Sequence, residues 1–326
     1  MNLWTNESRN QWNGAESVGA AEAPEGQGRP VVWETMWEIP LGGGTTHDVL
    51  KTPAMSPWIE AILTLIAAAT GAALGWSCAR LPRHWWLVGY LVPLTVIVAL
   101  AIAVRRPEWA LHPLLAWVFV GRWKLSLMAT VVAMIFSALL PRLPQARERR
   151  ALGLLVAVAV VYFSVWPAVA AAVNRPFLET LATRIPADGI CRQSTDYTCG
   201  PAAAVTALGR LGLKAGEGEL ALLAGTSTAT GTPPDVLAQA LNRRFGADGL
   251  RAELRRFRSV DELRAAGLTL VIVKFGLFLD HWLTVLEVTD REVIVGDPLS
   301  GEVRLTHDEF LARWRFIGVT MRRETR

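Results

Sequence analysis

The segment around Cys199 combines a nucleophile with local structure that would activate it. Cys199 is followed by Gly200-Pro201 and three alanines, and this pattern predicts a helix that begins at the cysteine. A thiol at a helix N-terminus lies near free backbone N–H groups and the positive end of the helix dipole, and both favour the nucleophilic thiolate. The alternative is that Cys199 is a small buried core residue at an ordinary helix start.

Gln193 lies six residues before Cys199. Its side-chain amide carries N–H donors, and an amide turned toward the space beside the sulfur would donate to an oxyanion forming on a substrate carbonyl. Gln193 is therefore a candidate oxyanion donor.

A cysteine nucleophile needs a base, and two histidines follow Cys199, His281 and His307. His307 follows a capping threonine, and we expect it to be a surface residue. His281 begins an apolar strand, and a hairpin turning at Thr289-Asp290 sets residue 281 opposite residue 298, one step from Asp297. A carboxylate there would hold the second nitrogen of the imidazole ring. The alternatives are a strand-end histidine bonded to backbone and a turn aspartate before a proline.

These residues and their spacing resemble the bacteriocin-processing cysteine peptidases, which are papain-like leader-peptide peptidases found fused to ABC exporters and which cut after double glycine. The likeness covers about residues 190–320. The matching residues are Gln193, Cys199-Gly200-Pro201-Ala202, His281, Asp297-Pro298, Phe310 and Trp314. The resemblance implies Cys199 as nucleophile, His281 as general base and then acid, Asp297 as orienting residue and Gln193 as oxyanion donor. The mechanism needs no metal or cofactor.

The chain departs from this family in four respects. Its four apolar runs are too few for the usual exporter half. Thr198 precedes the nucleophile, where the family usually has Asp or Glu. The chain has no Gly-x-x-x-x-Gly-Lys-Ser/Thr segment, so we expect no ATP binding by that route. Cys191 has no counterpart in the pattern, and we expect it to be structural.

The composition indicates that the candidate site belongs to a membrane protein. Of 326 residues, 52% are hydrophobic and 19% are charged, and the net charge is +4. These values exclude an intrinsically disordered chain and are unusual for a soluble enzyme. Four apolar runs, at about 57–78, 85–104, 123–140 and 151–173, are each close to the ~20 residues of a membrane-spanning helix. The alternative is four buried helices of a large soluble core.

The pattern along the chain predicts three parts: a disordered acidic tail at 1–56, about four transmembrane helices at 57–173, and a peptidase domain at 174–326. Basic residues flank the apolar runs, which indicates a multi-pass membrane protein with the bilayer, not nucleic acid, as partner. Basic loops at both ends of the spans leave the membrane side of the catalytic domain undecided. In the tail, Leu41-Gly42-Gly43-Gly44 is either a flexible linker or a self-cleavage site.

The last part predicts helices followed by a meander of strands. Helices are predicted at 199–212, at 218–224 and from a Thr232 cap to near Gly246, and Ser259/Glu262 and Thr306/Glu309 are capping-box patterns. Strands are predicted at 251–257, 268–275, 281–288, 291–296, 302–305 and 316–321. The predicted fold is an N-terminal α-helical transmembrane bundle plus a C-terminal α+β papain-like peptidase domain.

The function that these observations predict is a membrane-anchored cysteine peptidase, cutting after small residues or Gly-Gly. Two rival functions stay open. One is an acyl or amide transferase that uses the same triad, and the other is a non-catalytic, membrane-tethered peptide-binding domain. The partners are a peptide or protein substrate and the lipid bilayer, whereas a separate transporter partner is undecided.

Overall fold

The computed structural model describes residues 56–82, 84–105, 123–276 and 279–324. The predicted tail, except for Ser56, and its glycine segment lie outside the described residues. Four long helices come first: α1 (Pro57–Ala79), α2 (Val88–Arg105), α3 (Trp123–Leu139) and α4 (Ala146–Leu178). Each of the four apolar runs is therefore helical, and the helices are long and apolar enough to cross a membrane.

Small residues let α1 and α3 approach closely. The buried face of α1 carries Ala61, Thr64, Ala68, Gly71 and Gly75, spaced three and four residues apart. A Cβ added to Gly75 would lie 2.1 Å from the carbonyl oxygen of Met134 on α3. Small residues at this spacing are typical of helix pairs packed in a membrane, and α2 and α4 pack against this pair.

Large apolar side chains cover the outer faces of the helices. They are exposed rather than buried, and they include Trp58, Ile62, Ile66, Leu91, Leu94, Leu154, Val158 and Val161. A soluble core would bury such side chains, so the alternative of buried helices does not fit, whereas contact with lipid does.

The fourth helix continues past the predicted apolar run. It ends at Leu178 instead of 173 and contains Pro167 and Pro176. At 1.5 Å per residue its 33 residues span about 50 Å, which is longer than the ~30 Å hydrocarbon core of a bilayer. The helix is therefore longer than one crossing of such a core requires.

The C-terminal domain is a six-stranded antiparallel sheet with helices packed on it. Its helices are α5 (Cys199–Arg210), α6 (Glu217–Leu223), α7 (Pro234–Phe245), α8 (Val260–Ala266) and α9 (His307–Leu311). Its strands are β1 (Leu250–Arg256), β2 (Thr269–Lys274), β3 (Asp280–Val288), β4 (Glu292–Asp297), β5 (Gly301–Thr306) and β6 (Trp314–Arg323), in the order β1-β6-β2-β3-β4-β5. The predicted α+β organisation is confirmed.

The capping predictions have different outcomes. Thr306 and Glu309 form the complete capping box. Ser259 accepts a hydrogen bond from the Glu262 N–H, but the Glu262 carboxylate accepts from the Arg258 N–H. The predicted Thr232 cap is wrong: α7 begins at Pro234, because the Thr232 hydroxyl is hydrogen-bonded to Thr226 instead.

The register of the β3–β4 hairpin differs from the predicted one. Val288 pairs with Val293 near the turn, and an irregularity between Val285 and Glu287 changes the pairing, so that Thr284 faces Gly296. Continuing that register sets Asp297 opposite Leu283, on the face of the sheet that carries His281. The predicted pairing of 281 with 298 is wrong and would direct Asp297 to the other face. It assumes a two-residue turn at Thr289-Asp290, whereas Val288 pairs with Val293 and the Thr289 N–H donates to the Glu292 carbonyl, and it omits the bulge.

Candidate active site

Cys199 is the first residue of α5 and is almost completely buried. The alanines that follow it are also buried, and their small side chains let the helix lie close to the sheet. The Thr284 hydroxyl on β3 donates to the carbonyl oxygen of Ala203 across 2.8 Å. This contact fixes α5 against β3, the strand that also carries His281.

His281 lies between Cys199 and Asp297. Its Nε2 is 2.7 Å from Oδ1 of Asp297, and both side chains are buried. Cys199 lies close enough to His281 to raise its pKa, and since Nε2 faces Asp297, the nitrogen left for the sulfur is Nδ1. The Phe275 ring packs beside the imidazole, with centroids 5.4 Å apart. The structure thus brings together three of the four predicted site residues.

The charges of this cluster favour a protonated imidazole. Burial lowers the pKa of His281, but hydrogen bonds with Asp297 and Cys199 and the charges of both outweigh it and raise the pKa to about 10. Burial raises the pKa of Asp297, yet the bond to His281, together with bonds from Ser300 and Leu299, holds the pKa below its ordinary value. The pair is therefore an imidazolium and a carboxylate at neutral pH.

Asp297 is held by its own turn as well as by His281. Its Oδ1 accepts a bond from the Leu299 N–H at 2.9 Å, and its Oδ2 accepts from the Ser300 hydroxyl at 2.6 Å. Ser300 has no role in the sequence prediction. The carboxylate is fully buried, and these donors fix its orientation toward the imidazole.

Gln193 lies in the loop before α5. Its backbone N–H donates to the Pro298 carbonyl at 3.0 Å, which ties this loop to the turn that holds Asp297. Its side-chain Nε2 donates to the Thr195 carbonyl at 2.8 Å. Within the described residues its buried Oε1 has no hydrogen-bond partner. One of the two Nε2 hydrogens is thus committed to the loop, and an oxyanion role for the other stays a prediction.

Glu217 supports the Gln193 loop and was missed by the sequence prediction. It is fully buried, and its two carboxylate oxygens accept bonds from the Ser194 N–H and the Ser194 hydroxyl, both at 2.7 Å. Its backbone N–H donates to the Thr183 hydroxyl at 2.8 Å. Nothing in the acidic stretch at 217–219 distinguishes this carboxylate from a solvated one, so no local signal identifies it.

Glu217→Ala is expected to lower kcat of peptide cleavage roughly 10- to 100-fold with little change in KM, because the loop carrying Gln193 loses its support and a misplaced donor stabilises the transition state poorly. Glu217→Gln keeps one acceptor and is expected to restore most of the rate. Glu219→Ala is the control, since that carboxylate lies on the same helix, is half-buried, and pairs with Arg244 instead of the Gln193 loop. Steady-state kinetics test this, and equal losses of kcat in both alanine variants would contradict it.

The buried pair also predicts how stability depends on pH. A raised folded-state pKa means that the stabilisation by charged His281 is fully present below about pH 6.5 and is lost as the pH rises through about 10. The Asp297 contribution is present above its ordinary carboxyl pKa and is lost as the pH falls toward its lowered folded-state pKa. The Tm is therefore expected to fall between pH 7 and 10.

Asp297→Asn removes the partner charge and is expected to flatten this fall in Tm. The control is Asp290→Asn, which removes an exposed carboxylate at the far end of β3. Differential scanning fluorimetry of the full chain in detergent measures the slope. A wild-type slope in Asp297→Asn would refute the assignment of the pH dependence to this pair.

The remaining chemical groups have structural roles. Burial and the nearby charge of Glu217 raise the pKa of Cys191 to about 12, which keeps that thiol protonated, as its predicted structural role requires. His307 Nε2 contacts the Thr289 carbonyl at the other end of β3. The Thr198 hydroxyl bonds the Thr195 backbone within the loop before α5. Among the residues that the structure describes, no three His, Cys, Asp or Glu side chains are grouped as metal ligands.

Comparison with known proteins identifies the C-terminal region. Residues 188–326 match the model of the peptidase C39 family. An uncharacterised protein of Methanothermobacter marburgensis is 36% identical over 121 residues, which are 37% of this chain and 79% of that protein. An uncharacterised protein of Methanothermobacter thermautotrophicus is 31% identical over 130 residues, covering 40% and 85%. This chain belongs to the peptidase C39 family. The predicted likeness to double-glycine peptidases is confirmed at the level of the family.

Two solved structures are similar to this C39 family member. A double glycine motif protease from an AMS/PCAT transporter, in complex with the leader peptide, is 17% identical with a TM-score of 0.37, and the match covers 44% of this chain and 96% of that one. The peptidase domain of Streptococcus ComA, a bi-functional ABC transporter, is 19% identical with a TM-score of 0.37, covering 41% and 96%.

Proposed function

We propose that this C39 family member is a membrane-anchored cysteine peptidase in which Cys199, His281, Asp297 and Gln193 cleave a peptide bond. The observation that carries the proposal is His281, which is buried, hydrogen-bonded to Asp297 through Nε2, and close enough to Cys199 for the thiol to affect its pKa. A purely structural histidine needs neither an adjacent thiol nor a buried carboxylate. Nucleophile, base and orienting group in series are the arrangement that acyl transfer requires.

The reaction proceeds in two halves. The Cys199 thiolate attacks the peptide carbonyl, and the His281 imidazolium then gives its Nδ1 proton to the leaving amine, which produces a thioester. Neutral His281 next takes a proton from water, and the resulting hydroxide attacks the thioester carbonyl. The carboxylic acid product leaves as the protonated imidazole and the thiolate are restored. Asp297 stabilises the imidazolium and holds the ring orientation throughout.

The oxyanion of each tetrahedral intermediate is stabilised by the Cys199 backbone N–H and the uncommitted N–H of Gln193. Two features support Gln193 in this role. The Gln193 loop is bonded to Pro298, beside Asp297, and one Nε2 hydrogen is left after the bond to the Thr195 carbonyl.

The proposed membrane anchor comes from the four N-terminal helices, and the proposed substrate comes from the family resemblance. The four apolar helices are the proposed anchor, since their exposed apolar faces suit lipid. The proposed substrate is a peptide with small residues before the cut bond. Gly-Gly is the first sequence to test, because the resemblance to bacteriocin-processing peptidases implies it. The Leu41–Gly44 segment of this chain is one such test sequence.

A peptide library incubated with the detergent-solubilised full chain tests the function. Mass spectrometry is expected to detect products that end in a new carboxylate, and His281→Ala is expected to lose at least about 1,000-fold in rate. Products joined to an added amine instead of water would replace the peptidase by a transferase. Absence of any product, together with Cys199 alkylation at pH 6 that His281→Ala leaves unchanged, would favour a binding domain.

A further inference from the structure

The end of the membrane helix α4 meets the loop that carries the nucleophile. Asn174 Nδ2 donates to the Tyr197 hydroxyl across 3.3 Å, and Tyr197 lies two residues before Cys199. The Thr228 hydroxyl donates to Oδ1 of the same Asn174 across 3.4 Å. One side chain at the end of α4 therefore joins this helix to two loops, one before α5 and one between α6 and α7.

The chain that leaves α4 is also packed against the site. The Arg192 N–H donates to the Arg184 carbonyl at 2.8 Å, and the Glu217 N–H is bonded to Thr183. A Cβ added to Gly218 would lie 2.4 Å from the Leu178 carbonyl oxygen, so α6 rests directly on the last residue of α4. The peptidase domain is docked on this helix by several contacts and is not suspended from a free linker.

The sequence of α4 locates the bilayer surface. Its apolar run ends at Val173, whose side chain is exposed. The run from 151 to 173 is about 23 residues, or roughly 35 Å of helix, which is enough to cross the ~30 Å hydrocarbon core. Asn174 follows at once. Arg175, the next residue, forms an exposed ion pair with Glu179 one turn further along the helix. Asn174 therefore lies at the membrane–water interface when α4 spans the bilayer.

The bond from Asn174 to Tyr197 then determines how far the nucleophile is from the lipid. The hydrogen bond, one tyrosine side chain and two residues of backbone separate the Asn174 side chain from Cys199, a reach of roughly 20 Å at most. Two large apolar side chains are exposed near the buried pair. Leu279 precedes His281 by two residues, and Leu299 follows Asp297 by two residues. Such side chains beside a site favour contact with an apolar stretch of substrate.

We propose that the substrate is a membrane-anchored polypeptide, cut a few residues outside the bilayer in an apolar juxtamembrane segment. The site is held at the distance from the bilayer surface at which such a segment leaves the membrane. A soluble peptide, in contrast, would have to reach the site from bulk water. This inference rests on the proposed function, because it assumes both the peptidase reaction and the membrane-spanning helices. Membrane anchoring raises the local concentration of substrate at the site.

The position of the site is tested without any substrate. In a chain whose three cysteines are replaced by serine, a bimane label is attached to Asp196→Cys, beside Tyr197, or to Asp290→Cys, at the far end of β3. Both aspartates are exposed. The full chain is reconstituted in phosphatidylcholine–phosphatidylglycerol vesicles that contain headgroup spin-labelled lipid. A label on native Cys78 of α1, with the other two cysteines replaced, is the membrane reference.

The label at 196 is expected to be quenched at least threefold more than the label at 290, and nearly as strongly as the label on Cys78. Quenching at 196 that is no greater than at 290 would overturn the interfacial position. This outcome is independent of catalysis, so it separates the inference from the proposed function.

The substrate class is tested with matched anchored probes. The decapeptide that the library shows to be cut fastest is fused to a 20-residue Leu/Ala helix through a spacer of 4 or of 30 Gly/Ser residues, and the free decapeptide is the third probe. In vesicles, the short-spacer probe is expected to be cut at least tenfold faster than the long-spacer one, and the difference should disappear in detergent. Equal rates in vesicles would overturn the proposal while leaving the peptidase intact. Cleavage of no library peptide would overturn the proposed function itself.

Discussion

Replacing Cys199 by alanine is expected to abolish peptide-bond cleavage, lowering the rate at least about 1,000-fold. The sulfur forms the covalent bond to the substrate, and alanine has no atom that can replace it. Cys199 lies at the N-terminus of α5 beside His281, the group proposed to exchange protons during the reaction. Product formation measured by mass spectrometry with the best library peptide tests this expectation.

Cys191→Ala is the matched control for this substitution. Cys191 is also buried, but burial and the charge of Glu217 raise its pKa to about 12, so its thiol is protonated and unreactive at neutral pH. Its loss is expected to leave kcat within about twofold and to cost on the order of 1 kcal/mol through a small cavity. Cleavage that survives in Cys199→Ala, or that is lost equally in Cys191→Ala, would refute the assignment of the nucleophile.

Gly75→Leu is expected to disrupt the helical bundle, with a loss of several kcal/mol in stability. A Cβ at this position would lie 2.1 Å from a backbone oxygen of Met134, and a backbone atom cannot rotate away as a side chain can. The helices α1 and α3 would have to separate, which would also break the hydrogen bond between Thr64 and Ser126. The Tm in detergent and the elution profile on size-exclusion chromatography report this change.

Gly153→Leu on α4 makes the same change where space is open. No described atom lies within 4 Å of a Cβ built there, so this variant is expected to keep the wild-type Tm within a few degrees. A wild-type Tm for Gly75→Leu would show that α1 and α3 are not packed at this contact. A similar collapse of both variants would instead attribute the loss to leucine itself.

The elements and the chemical groups were largely predictable because their signals are local. Runs rich in Val, Ile, Leu and Thr identify the strands, and the pair Thr306 and Glu309 carries the information for its own capping box. The nucleophile is recognisable because a helix must begin where Cys199 meets Gly200-Pro201. The four helices before residue 178 could be predicted from the length of their apolar runs alone.

The geometry that aligns the site is not local, and it was predicted less well. The pairing of Asp297 with the face of His281 depends on a bulge between Val285 and Glu287, which no turn residue announces. Glu217 becomes a support only because the fold brings Ser194 to it from 23 residues away. Such contacts depend on the packing of several elements, and sequence spacing alone does not contain them.

The strand order has a consequence for biosynthesis. The strand β6 follows every other strand in the chain, yet it lies between β1 and β2 in the sheet. While the protein is being translated, β1 cannot be connected to β2 in one sheet until β6, which lies between them, has left the ribosome. His281 and Asp297, on β3 and β4, therefore sit on an incomplete sheet at a stage when all four apolar helices have already been translated. The sheet that carries His281 and Asp297 is therefore complete only once the last of the six strands has joined it.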